Sequence, residues 1–120
     1  MERPISAHEA AVVEWLLAHA AMGDVSAFCR KPVSELRVLP KTCTCGCTSL
    51  DFAPHSWGGA SILADALAIY PDGQTAGLIL WGRSDEIVLL EVYDCHPGAN
   101  RRFPEIADLR SWNDRAAEQS

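Results

Sequence analysis

Between Ser61 and Asp94 the chain carries three apolar-rich runs in succession, separated only by Pro71-Asp72-Gly73 and Arg83-Ser84-Asp85. Within each run apolar residues recur with a period of two, and the separators are turn chemistry. Strands joined by such short turns form an antiparallel meander, because a parallel connection needs a crossover of a dozen or more residues. This constrains the fold more than any other feature: whatever else forms must pack against that sheet.

The rest is read around it. Ser6 with Glu9 matches the capping box S-x-x-E. Ala10, Val13, Leu16, Leu17 and Ala20 then recur at helical spacing and make one apolar face, ending at Met22-Gly23-Asp24. Residues 24–34 read as a loop or a short irregular helix. Strands are expected over residues 36–42, 47–52, 61–70, 75–81 and 86–94, and a short helix over 105–112 after Pro104. The expected fold is α+β: an N-terminal helix on a roughly five-stranded antiparallel sheet, with a short C-terminal helix, in a single domain spanning 1–120.

Register follows if Asp72-Gly73 and Ser84-Asp85 are two-residue hairpin loops. Ala64, Ala66, Ala68, Ile79, Trp81, Val88, Leu90 and Val92 then share a wholly apolar face, with alanines that let helix 1 sit close. Val13, Leu16 and Leu17 should pack on Ile79, Trp81 and Leu90. The opposite face carries Leu63, Asp65, Leu67, Leu78, Leu80, Leu89, Glu91 and Tyr93. Its leucines at 67, 78, 80 and 89 would need cover from segment 97–112 or a homodimer. A three-residue loop at either turn would exchange faces, since a slip of one residue does so.

Composition narrows the function classes. The chain has 120 residues, 48% apolar, a mean hydropathy of +0.00 and a net charge of −6. It can build a core without staples, and its charge does not suit nucleic acid or an anionic membrane. Glu14 interrupts the apolar stretch 10–22, and Glu2 offsets Arg3, which reads as a helix rather than a signal peptide. Nothing approaches a membrane span. The five cysteines are an odd number in a chain that is not a disulfide scaffold, so a reducing cytoplasm is expected.

Three of those cysteines form the run Cys43-Thr44-Cys45-Gly46-Cys47. If Leu36, Val38, Leu50 and Phe52 share the buried face, their strands pair around a three-residue loop, Thr44-Cys45-Gly46, with Gly46 at the left-handed place such loops need. Cys43 and Cys47 then face each other, with Cys45 at the tip. Three thiolates can hold zinc with a fourth ligand from Cys95, His96 or His55, although C-x-C-x-C lacks the usual C-x2-C wrap. The run can equally be a hairpin tip whose cysteines are incidental, or a redox site.

Leu36-Arg37-Val38 leading into the C-x-C-G-C run, Thr48 with Leu50-Asp51, Pro71-Asp72-Gly73, the Gly77–Trp81 strand, Leu90-Glu91-Val92-Tyr93, and Phe103-Pro104 before Leu109 together resemble an uncharacterised family of small bacterial proteins. The resemblance covers roughly residues 36–109 and implies a bacterial intracellular setting. It implies no activity and no catalytic residues.

Other candidates carry bland readings beside them. Asp65 and Glu91 lie mid-strand among apolar residues and could serve as acid and base, or simply be solvated. Tyr93 adds a phenol to their face. His55-Ser56-Trp57-Gly58-Gly59 could clamp a ligand through Trp57, or tuck it down as a lid. Cys29 and Cys95 read as packed small hydrophobes. No nucleotide-binding or hydrolase motif occurs. The leading expectation is a non-catalytic intracellular binding module with an unknown protein or small-ligand partner. The alternative is a zinc- or thiol-dependent protein centred on Cys43, Cys45 and Cys47. A third is a small enzyme using Asp65 and Glu91.

Overall fold

The computed structural model describes residues 2–40, 48–54, 59–96, 98–99 and 102–112. The hairpin expected around Cys43, Cys45 and Cys47, and the loop residues His55 and Trp57, lie outside them.

Helix α1 spans Ala7–His19 and starts as its capping box requires. The Glu9 amide donates to Ser6 Oγ (3.1 Å) and the Ser6 amide to Glu9 Oε1 (2.9 Å). Arg3 adds a two-pronged bond to the same carboxylate (2.8 and 2.7 Å). With the Arg3 hydrogen bond foremost, burial opposing and the Ser6 bonds assisting, the Glu9 carboxyl falls to about 2. Ala10, Val12, Val13 and Leu16 are buried. Val12 extends the expected apolar stripe, and Leu17 packs at its margin.

The main sheet is antiparallel with strand order β3-β6-β5-β4-β7, from β3 (Leu50–Asp51), β4 (Ser61–Ile69), β5 (Thr75–Arg83), β6 (Glu86–Asp94) and β7 (Leu109–Ser111). A separate ribbon pairs β1 (Arg3–Pro4) with β2 (Arg37–Val38). The α+β fold with α1 on a five-stranded antiparallel sheet is therefore present, but its fifth strand is not the one expected. β2 leaves the main sheet to pair with β1, and only Leu39 reaches over, its amide donating to the Asp51 carbonyl (2.8 Å). Its place is taken by the C-terminal segment. In place of a helix over 105–112 there is a 3-10 turn, Ile106–Asp108, followed by β7. Tertiary pairing overrides a weak local helix signal, because the edge of β4 would otherwise expose unpaired backbone groups. Ala20–Met22 close the same edge, with the Met22 amide on the Leu63 carbonyl (2.8 Å) and the Asp65 amide on the Ala20 carbonyl (3.3 Å). The His8 Nε2 and the Pro104 carbonyl, 2.9 Å apart, tie this C-terminal segment to α1.

The register differs from expectation in one strand. Asp65 pairs with Ile79 and Tyr70 bonds Gln74, so the β4–β5 loop is three residues, Pro71-Asp72-Gly73, with Gly73 at φ 85°. The β5–β6 loop is the expected Ser84-Asp85, but a bulge follows: Trp81 opposes Leu89 while Gly82 opposes Ile87, leaving Val88 unmatched. These two one-residue shifts cancel for β6, and only β5 turns over. Leu78 and Leu80 therefore join Ala64, Ala66, Ala68, Ala76, Leu90 and Val92 on the inner face, each no more than 2% exposed. Ile79 and Trp81 move outside. A second bulge between Ile62 and Ala64 re-aims Leu63 inward, where its side chain and Phe28 fill the space a Cβ on Gly82 would need (2.6 Å to each). The core joins this face to Val12, Val13 and Leu16. Each fully buried leucine there contributes about 1.5–3 kcal/mol. The small β4 alanines let α1 lie directly on that strand.

Four leucines no longer share an outer face. Leu67 and Leu89 remain there, and both are buried within one chain (0% and 5% exposed). A dimer consequently has no bare leucine patch to cover. Cys29 and Cys95 are exposed free thiols, not packed hydrophobes. Among the described residues no helix is long and apolar enough to cross a membrane.

Candidate functional site

The outer face is built from three adjoining rows of cross-strand partners. The central row runs Asp65, Ile79, Glu91 across β4, β5 and β6. Beside it run Leu67, Gly77 and Tyr93; on the other side, Ile62, Trp81, Leu89 and Asp51. Three residues expected to matter, Asp65, Glu91 and Tyr93, thus come together on one surface. The two carboxylates flank Ile79 in a single row, with backbones about 10 Å apart because one strand intervenes.

Each carboxylate is held by an indole. Trp112, just beyond β7, donates its Nε1–H to Asp65 Oδ1 (3.0 Å). Trp81 donates its Nε1–H to Glu91 Oε1 (3.1 Å). No lysine, arginine or histidine among the described residues pairs with either carboxylate. The Tyr93 ring lies over Gly77, occupying the space a Cβ there would take. Burial raises its phenol pKa first, and the negative charge of Asp65, of a Cys95 thiolate and of Glu91 raises it further. The face is therefore electronegative, aromatic and half-buried. Next to it, between the end of α1 and β7, a cavity of about 310 Å³ is lined by His19, Met22, Asp65, Ser111 and Trp112. Met22 and Trp112 are among the most exposed apolar side chains (60% and 42%).

The other candidates do not join this surface. Cys95 and His96 follow β6. The Thr75 amide donates to His96 Nδ1 (2.9 Å), so a neutral His96 ring carries its proton on Nε2. Ligation through Nε2 would require breaking that bond. Among the described residues no three His, Cys, Asp or Glu side chains gather as a metal site would require. No histidine, serine or cysteine stands between Asp65 and Glu91 in their row; Ile79 does.

Trp81 and Trp112 were not expected here. The expected register of β5 turns Trp81 toward the helix-covered face, and the expected helix over 105–112 includes Trp112, which instead follows β7. The usable signal was Gly73 in third place of Pro71-Asp72-Gly73, the pattern of a three-residue loop, which turns Trp81 outward. Comparison of the chain with family models, curated proteins and solved structures found no match to any of them.

Proposed function

We propose that this protein is a non-catalytic binding module whose binding surface is the outer sheet face. The observation that carries the reading is the pair of carboxylates, Asp65 and Glu91, each fixed by a tryptophan N–H and neither neutralised by a cation among the described residues. Oriented carboxylates among aromatic side chains give a complementary partner both a charge and an apolar surface to meet. A rigid sheet suits recognition, because groups built on strands keep their geometry more precisely than groups on loops. The five cysteines and the exposed thiols of Cys29 and Cys95 favour a reducing cytoplasm as its setting.

The test is a titration of isotope-labelled protein with basic, acidic and apolar short peptides, read by NMR. Shifts confined to the Trp81 and Trp112 indoles and to the backbone of β4–β6 support the reading. Shifts centred instead on the groove of Phe28, Leu36, Phe52 and Ile87, or on no residue, contradict it.

A second reading, a zinc site using Cys43, Cys45 and Cys47, is favoured by one register. β3 runs antiparallel to β6, with Ser49 bonded to Val92 through both its hydroxyl lone pair (2.9 Å) and its O–H (3.3 Å). The chain thus enters β3 at the end of the sheet where β6 runs out to Cys95. Zinc near one per chain, lost in Cys45→Ser and Cys95→Ser and weakened at acid pH, would support this reading. Metal-free protein purified in zinc-containing medium would end it.

A further inference from the structure

We infer that the outer face takes a cationic partner segment, a stretch of chain bearing spaced lysine or arginine side chains; this rests on the binding-module reading above. Charge complementarity is the first argument. The whole chain carries −6, and on this face the carboxylates of Asp65 and Glu91 have no cation opposite them among the described residues. Among the described residues their side-chain donors are the neutral indoles of Trp112 and Trp81, which orient one oxygen of each and leave the charge uncompensated. Half-burial lowers the effective dielectric, so an incoming cation gains more here than at a fully solvated carboxylate.

Surface shape is the second argument. Trp81, Tyr93 and Trp112 surround the row, and aromatic rings attract ammonium and guanidinium groups. Ile79 sits between the two carboxylates. A lysine or arginine can lay its alkyl stem on that side chain while its charged head reaches a carboxylate. Two heads about 10 Å apart would satisfy both acids, and in a polyproline II chain, with three residues per turn, residues three apart lie on one side at about 9 Å. An acidic or phosphorylated partner would meet repulsion at both positions. A purely apolar partner would bury two uncompensated carboxylates, which is costly.

The experiment uses the labelled 120-residue chain and a peptide of Lys-Gly-Gly repeats. The Trp81 and Trp112 indole signals should shift, and affinity should fall as salt rises from about 50 to about 500 mM. The double variant Asp65→Asn/Glu91→Gln keeps an acceptor for each indole and should weaken binding about tenfold or more. The control Glu14→Gln/Glu35→Gln removes the same net charge from exposed positions away from this face and should change it less than about twofold. Equal loss in both variants would show attraction to overall charge and overturn the inference. An uncharged Ser-Gly peptide or spermidine binding the face as tightly as the lysine peptide would also overturn it, while leaving the face a binding surface. If no probe moves any outer-face signal, the binding-module reading falls with it.

Discussion

The two faces of the sheet are made from the same three strands yet solve different problems. The inner face is uniform: alanines on β4, leucines and alanine on β5, Leu90 and Val92 on β6, all essentially excluded from water under α1. The outer face alternates buried leucines with half-exposed aromatics and two carboxylates, and it secures them by hydrogen bonds rather than by packing alone. One face holds the molecule together; the other presents chemistry on a surface the first keeps rigid. Stability should therefore respond strongly to changes inside, and weakly to changes in outer charge.

Neighbouring residues of β5 give the most direct contrast. Leu80→Ala removes a fully buried side chain and should cost about 2–5 kcal/mol; Ile79→Ala, half-exposed outside, should cost about 1 kcal/mol. Denaturant melts of both variants decide it, and equal losses would mean the strand faces the other way. Gly77→Ala comes next. Its new methyl must displace the Tyr93 ring, at about 1–3 kcal/mol, and the Tyr93 ring signals in NMR should report a more solvated phenol. A variant as stable as the parent with unchanged ring signals would remove Tyr93 from above β5.

How far these faces were legible in the sequence depends on the strand. Alternation sorted Ala64, Ala66, Ala68, Leu90 and Val92 from Asp65, Leu67, Leu89, Glu91 and Tyr93 correctly, because β4 and β6 keep their period over residues 64–68 and 89–93. β5 was inverted, because Leu78-Ile79-Leu80-Trp81 is apolar at every position and carries no phase of its own. Its side had to come from loop length, and the Val88 bulge that keeps β6 in step leaves no mark in the sequence. Leu63 fails for the same reason. The capping box was legible because it is local. β7 was not, since what recruits it is the open edge of β4, more than forty residues away.

Acid should loosen the cover of the inner face at a defined place. Glu9 has a folded pKa of about 2 against an ordinary 4.5. A depressed carboxyl contributes fully above its unfolded pKa and loses that contribution as pH falls toward its folded one. Stability should thus decline between pH 4.5 and about 2. Because Arg3 is 49% exposed, solvent screening limits the Glu9 share to about 1 kcal/mol. Glu9→Gln should flatten the profile in that window, measured by thermal melts; an unchanged slope would show that the clamp does not secure α1.

The smallest expected effect concerns the outer carboxylates themselves. Asp65→Asn and Glu91→Gln leave an amide oxygen to accept each indole N–H, so neither packing nor hydrogen bonding need change. The protein should stay within about 0.5 kcal/mol of its parent stability. Tyr93 should nevertheless register the lost charge. Asp65 and Glu91 both raise its phenol pKa, so either substitution must lower it, while burial, the larger cause, keeps it above the ordinary value of 10.0. Alkaline titration of the Tyr93 ring signal measures this, and Tyr70 supplies an internal reference. Tyr70 is raised to about 12, by burial first, with the Arg102 charge opposing and Asp108, Asp94 and Asp72 adding; Asp65 and Glu91 are not among its causes, so it should not move. A Tyr93 shift without loss of stability would mark the two carboxylates as a source of field rather than of structural support. A large loss of stability would instead make the Trp112–Asp65 and Trp81–Glu91 contacts part of the frame, and the outer face would then differ from the inner in composition only.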